Sequence, residues 1–257
     1  MKLSVIIIAK NEEAVIADAI SSASFAHEVI VIDANSTDQT RTIADKLGAK
    51  VIEKSWEGYG KQKNFGISTA AGDVLFFLDA DERISPKLQK SLIYRLGNME
   101  KDVYWITVED VFLGKKMSHL AGHNPRFIKK GAAFWTDKHV HEQLIYNSTG
   151  SIVQYKDGIS GEIQSPIIHY SHQTIASYLK KMHRYTTLDA QDMKRSSLHR
   201  SGRPIKKSPL LPYTLACRQF IKLLIYRKGI LDGAQGIIWS ALSAYYEYEM
   251  AKKYLAL

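Results

Sequence analysis

Short apolar runs alternate with segments of helical period through the first hundred residues. Residues 3 to 9 (LSVIIIA), 28 to 32 (EVIVI) and 74 to 78 (VLFFL) are dense in Val, Ile, Leu and Phe and lack polar alternation, as strands buried on both faces do. Between them Val15, Ile16, Ala19, Ile20 and Ala23 recur at helical spacing, as do Ile43, Ala44 and Leu47 before Gly48. Gly48 stands where a C-cap glycine would end that helix. A further short strand, KVIEK at 50 to 54, follows at once. This rhythm predicts an α/β fold with a parallel sheet and right-handed crossovers. Beyond residue 100 the pattern turns to strand-like pieces, VYWITVEDVFL, RFIKKGAAFW and GSIVQYKDG, set between Gly and Asn turns. Helical period resumes from Gln173 to Arg200 with Ile175, Leu179, Met182 and Tyr185. Residues 201–212 (SGRPIKKSPLLP) hold three of the six prolines and read as a linker before two further helices over 213–228 and 231–255.

Composition narrows this picture. A chain of 257 residues, 45% hydrophobic and 24% charged, can build a full core unaided. The single cysteine, Cys217, allows neither an internal disulfide nor a Cys-based zinc site, which fits a cytoplasmic protein. The N-terminal MKLSVIIIAKNEE has too short an apolar run for a secretory signal and reads as the first buried strand. The net charge of +9 suggests an anionic partner, and the excess cations crowd the later half in KKMHR, MKRSSLHRSGRPIKK and RQFIKLLIYRK. No Walker A motif occurs, Lys63 stands where GxGxxG would need its third glycine, and Ile145 replaces the second histidine of HExxH.

The acidic residues carry the chemistry. In VLFFLDADERI an apolar run ends in Asp79, Asp81 and Glu82. Ligands of open α/β sheets bind beyond the carboxyl ends of strands, and two carboxylates at i and i+2 suit Mg²⁺ or Mn²⁺ through hard oxygen donors. The alternative is a solvated turn into a helix with Ser85 as N-cap and Pro86 at its first position. Asp33 follows the second strand directly, placed to accept hydrogen bonds from a ribose or base, while Asp38 suits an N-cap.

The order SVIIIAKNEE, VIVIDANSTDQT and KNFGISTAAGDVLFFLDADE resembles the N-terminal half of the family 2 glycosyltransferases, inverting enzymes of GT-A fold that use nucleotide-diphosphate sugars. The resemblance covers residues 1–98. The segments NPRFIKKGAAFWTDKHVHEQL and IIHYSHQTIASYLKKMHRYTTLDA further resemble lipopolysaccharide core β-1,4-glucosyltransferases. The resemblance implies a GT-A domain over 1–200, with a nucleotide-sugar half (1–98) and an acceptor half (99–200), then a linker (201–212) and an amphipathic helical extension (213–257). It also implies a Rossmann-like, mostly parallel sheet. The backbone from Ala9 through Asn11 to Glu12, together with Asp33, would hold uracil and ribose, with Lys63 and Asn64 near the nucleotide. Asp79 and Asp81 would form the DxD motif that binds Mg²⁺ or Mn²⁺, with His169 near the diphosphate or metal and Arg126 on a phosphate.

An inverting displacement needs a base for the acceptor hydroxyl. The resemblance points to Glu142, with Asp110 as the alternative, and the structural reading of Glu142 is a surface pair with a lysine such as Lys138. UDP-glucose is the implied donor and a lipooligosaccharide or other glycan the acceptor, with UDP-galactose and N-acetylated donors as alternatives. Cys217, Phe220, Ile221, Leu224 and Ile225 share a helical face, and Trp239 with tyrosines 245, 246, 248 and 254 favours an interface. These suggest peripheral contact with an anionic membrane on its cytoplasmic face; packing on the sheet or dimerisation would use the same faces. A nucleic-acid partner would explain the charge but would leave Asp33, Asp79 and Asp81 without a task.

Overall fold

The computed structural model describes residues 1–137, 142–172 and 174–257, without the side chain of His172. The chain forms two compact units, Met1–Val108 with Gly122–His169, and Glu109–Ala121 with Tyr170–Leu257. The proline-rich stretch 201–212 lies inside the second.

Its elements run β1 (Leu3–Ala9), α1 (Ile16–Ser22), β2 (Glu28–Asp33), α2 (Thr40–Lys46), β3 (Lys50–Glu53), α3 (Tyr59–Thr69), β4 (Val74–Asp79), β5 (Glu82–Ile84) and α4 (Pro86–Gly97). Then come β6 (Val103–Phe112), β7 (Lys115–Lys129), β8 (Ala133–Trp135), β9 (Leu144–Tyr146), β10 (Gly161–His172), α5 (Ile175–Ser196), α6 (Leu211–Ile221) and α7 (Gly233–Ala256). The main sheet has the order β3-β2-β1-β4-β7-β6-β10-β5, and β8 and β9 pair separately. As the apolar runs predict, β1 lies parallel between β2 and β4, and β2 carries β3 in parallel. The later strands join in the opposite sense, β7 antiparallel to β4 and β5 antiparallel to β10.

The unbroken hydrophobicity of β1 has a direct structural cause. Val5 and Ile7 pack with Ile16, Ile20 and Leu88, while Ile6 between them packs with Ile32, Phe77 and Trp135. Adjacent side chains leave a strand on opposite faces, so helices cover both sides of this sheet. Ser85 accepts from the Leu88 amide and Pro86 opens α4, as its sequence indicates. Gly48, just past α2, has φ +77°.

Several expectations fail beyond residue 100. RFIKKGAAFW is the end of β7, a turn, and β8 rather than one strand. GSIVQYKDG contributes only a bridge between Ile152 and Ile145; its Asp157 instead ties a turn by accepting from the amides of Ile159 and Ser160. Strand β10 lies outside the strand-like pieces expected beyond residue 100. The helix expected from Gln173 begins at Ile175, capped by Thr174, and Gln173 lies outside the described residues. The helix expected over 213–228 ends at Ile221 and passes into a wide π turn, Lys222–Tyr226.

Within the second unit, α5 and α7 share an apolar cluster of Ala190, Met193, Met250, Ala251 and Tyr254 with Leu211. Trp239, expected at an interface, instead packs against Phe112 (5.1 Å between ring centroids) and Tyr178 (5.7 Å). Tyr254 is buried and Tyr246 donates to Asp189. The helical stripe is also divided, with Phe220 and Leu224 half-buried and Cys217, Ile221 and Ile225 exposed.

Candidate active site

The loops leaving β1 and β2 are laced together at the carboxyl end of the sheet. The Asn11 amide donates to Ser36 Oγ (2.9 Å) and Asn11 Oδ1 accepts from the Thr37 amide (2.8 Å). The Glu12 amide donates to Thr40 Oγ1 (2.8 Å). Asn11 sits at φ +57°, a left-handed conformation that Asn tolerates better than most residues. Asp33 is fully buried and accepts from the Ser36 amide at 2.7 Å, and Ala9 ends β1 beside it, its carbonyl bonded to the Ala34 amide. Asp38 accepts from the Thr40 amide (3.0 Å) at the start of α2.

At the end of β4 the acids take three different environments. Arg126, on β7, reaches across with Nη2 to Asp79 Oδ2 and Glu82 Oε1, each at 2.7 Å. Its side chain is 6% exposed, so the arginine expected on a phosphate is a buried counter-ion to two carboxylates. Glu82, placed by the alternative reading in a solvated turn, is 1% exposed within β5 and also accepts from the Asp79 amide. Crowding by protein would raise the Asp79 carboxyl, but Arg126 and Lys63 outweigh it and hold Asp79 well below the usual carboxylate range. Glu82 goes the other way: burial, reinforced by the Asp79 charge, pushes it up to about 7 despite Arg126.

Asp81 turns from this pair toward His169 on β10, with Nε2 and Oδ2 3.3 Å apart. The β10–β5 register, which sets His169 opposite Glu82, brings the histidine there. Both side chains keep about a quarter of their surface, 23% for His169 and 28% for Asp81. One carboxylate and one imidazole fit the donor set of an octahedral divalent ion whose remaining positions go to phosphate oxygens and water. Among the described residues no three metal-ligating side chains cluster for such an ion.

Lys63 of α3, whose charge also acts on Asp79, forms an ion pair with Glu142, the two side chains 7% and 12% exposed. The lysine ammonium also lies 4.3 Å from the centre of the Trp135 ring. Lys138, the surface partner considered for Glu142, lies outside the described residues. Asn64 spends its amide on the Trp135 backbone, donating to the carbonyl (2.8 Å) and accepting from the N–H (2.9 Å). Gly60 permits this approach: a Cβ there would stand 1.9 Å from the Thr136 carbonyl oxygen. Asp110, the alternative base, is on β6 within the second unit.

Lys63, Asp79, Glu82, Arg126, Glu142 and His169 are thus close enough to shift one another's charge, although they come from five elements and one loop. Glu82 is among the strand-end acids that the sequence marks, but with no role in this group, and Trp135 is not singled out. Glu82 does stand out in retrospect, as an acid two residues before Ile84 in a strand whose alternate positions are buried.

This arrangement on this fold accords with comparison to known proteins. Residues 4–151 match the model of "Glycosyl transferase family 2", and the chain belongs to that family. It is therefore a glycosyltransferase. An uncharacterized glycosyltransferase of Rickettsia typhi is 32% identical over 254 residues, covering 95% of this chain and 83% of the relative. The lipopolysaccharide core biosynthesis glycosyltransferase LpsC of Rhizobium meliloti is 24% identical, covering 95% of this chain and 91% of LpsC. Residues 1–349 of S. aureus TarS, crystallised with UDP-GlcNAc, superpose with a TM-score of 0.50 at 16% identity, covering 96% of this chain and 91% of that one. The chain spans 55% of a longer TarS structure. The likeness to TarS establishes the GT-A fold.

Proposed function

We propose that this chain transfers a hexose from a uridine-diphosphate sugar, UDP-glucose first, to a lipopolysaccharide core or related glycan hydroxyl by a single inverting displacement. The observation that carries this reading is that an Asp81–His169 contact and a Lys63–Glu142 ion pair both bear on Asp79, through the charges of His169 and Lys63. The likeness to LpsC supports the acceptor class, and the UDP-GlcNAc bound by TarS supports a uridine donor.

In this reading Ala9, Asn11, Glu12 and Asp33 line the uridine end, and residues 1–98 form the nucleotide-sugar half facing an acceptor half over 99–200. Asp81 and His169 would hold Mg²⁺ or Mn²⁺. The bound ion supplies Lewis-acid stabilisation to the departing diphosphate. Arg126 anchors Asp79, keeping it ionised and in place, and is not itself a phosphate ligand. Lys63 orients the Glu142 carboxylate, which accepts the proton of the attacking hydroxyl. A glycolipid acceptor brings the enzyme to the cytoplasmic face of a membrane; no helix among the described residues is long and apolar enough to cross one.

A turnover screen over nucleotide sugars with Mg²⁺ and Mn²⁺ tests the donor, and UDP-glucose is expected to lead; no turnover of any uridine donor overturns the reading. Glu142→Gln should lower transfer by about 10²–10⁴-fold while UDP-sugar affinity stays within a few-fold. Near-normal transfer by that variant removes Glu142 as the base.

A further inference from the structure

The π turn Lys222–Tyr226 and the 3₁₀ turn Gly229–Asp232 join α6 to α7 at a tip with an unusual surface. Ile225 is 62% exposed, Tyr226 79%, Ile230 57% and Leu231 61%, and Ile221 at the end of α6 is also exposed. Scattered exposed apolar residues are ordinary, but five within eleven residues are the mark of an interaction surface.

The tip is built, not loose. Its inward residue Leu223 joins Phe112, Met117, Leu120 and Trp239 in an apolar cluster. Gly229 packs on Leu120, and Gly236 of α7 meets it so closely that a Cβ at Gly236 would lie 1.9 Å from the Gly229 carbonyl oxygen. Asp232 accepts from the amides of His119 (3.3 Å) and Leu120 (3.1 Å), and Arg227 donates to the Ala121 carbonyl. The fold therefore pays for holding Ile225, Tyr226, Ile230 and Leu231 outward.

The charge around the tip selects the partner. From Met193 to Leu231 the chain carries ten Lys and Arg and no Asp or Glu. Among the described residues no carboxylate pairs with Arg218, Lys222 or Lys228, and Lys222 and Lys228 flank the apolar residues directly. Aliphatic and tyrosine side chains ringed by unopposed cations match an anionic bilayer, which takes the apolar groups below its headgroups and the cations at their level.

We propose that the 221–231 tip docks the enzyme on an anionic lipid surface. The residues differ from the aromatic set the sequence suggested, because Trp239, Tyr246 and Tyr254 are spent inside the unit. The proposal does not depend on the donor-site reading, and soluble-donor turnover measured on the same preparations separates the two.

The full chain should float with phosphatidylcholine vesicles containing phosphatidylglycerol and not with phosphatidylcholine alone, and added salt should weaken it. Ile225→Ser with Ile230→Ser and Leu231→Ser should abolish flotation, and Lys222→Glu with Lys228→Glu should weaken it roughly tenfold or more, both with unchanged soluble-donor turnover. Should the triple variant misfold, Tyr226→Trp gives a second readout, a blue-shifted emission on adding anionic vesicles. Equal flotation by wild type and the lysine variant, or an unshifted Tyr226→Trp emission, overturns the proposal. So does concentration-dependent dimerisation that the triple variant abolishes while flotation persists, since the tip would then be a self-association face.

Discussion

Each compact unit buries one charge that two partners share. In the first, the Arg126 guanidinium is divided between Asp79 and Glu82; in the second, the Glu247 carboxylate is divided between His199 and Arg200. The second cluster closes on itself. Glu247 accepts from His199 Nε2 (2.9 Å) and from Arg200 Nε and Nη2 (3.1 and 2.6 Å). Burial would raise its carboxyl, but the His199 bond and the Arg200 charge hold it below the usual range. In the first cluster two acids compete for one cation, and Arg126 Nε finds no hydrogen-bond partner among the described residues. A buried polar group with its bonds complete stabilises a fold, whereas an incompletely satisfied one beside strand ends marks a candidate functional site.

The largest test of this contrast is Arg126→Met. It leaves the buried Glu82 and the part-exposed Asp79 without their cation and should cost about 3 kcal/mol in urea unfolding, with UDP-sugar binding lost as well. A cost under about 1 kcal/mol would show that Glu82 simply takes up a proton. Glu247→Gln should cost about 2 kcal/mol and leave UDP affinity unchanged, because its cluster has no part in the donor site. If UDP affinity falls with it, the two clusters do not divide into stability and function. His169→Asn should weaken the Mn²⁺ dependence of UDP binding about tenfold, read by calorimetry, with little effect on unfolding.

The smallest effect is the sign of the pH response. Glu82 titrates near 7 in the folded chain against an ordinary 4.5. Between those values the native state keeps a proton that the unfolded chain has released, so stability falls as pH rises across that window. Glu247 is shifted down, so its contribution is complete above 4.5 and is lost as pH falls through its lowered folded value. Urea midpoints against pH should lose the first slope in Glu82→Gln and the acid-side loss in Glu247→Gln. Slopes of the same sign at both sites would break the comparison.

Much of the first unit was legible in the chain. The apolar runs mark β1, β2 and β4 because strands covered on both faces admit no polar alternation, and Ser85, Pro86 and Gly48 mark helix ends through local backbone chemistry. Asp33, Asp79 and Asp81 could be singled out because each stands at the end of such a run. The later strands were less legible. Strand β7 is a 15-residue strand whose polar residues, Arg126 apart, are half or fully exposed, and β10 mixes polar and apolar residues with no clean period.

The sequence alone therefore determined the parallel core, the strand-end acids and the run of Lys and Arg without Asp or Glu over residues 193–231, since each depends on neighbours in the chain. Tertiary structure alone decided how those acids divide. Arg126 meets Asp79 and Glu82 across 47 and 44 residues, His169 meets Asp81 across 88, and Glu142 meets Lys63 across 79. It also decided which C-terminal aromatics are spent inside and which aliphatics face out. Both outcomes rest on sheet register and helix packing, which set distances between residues far apart in the chain and leave no local trace in composition or spacing.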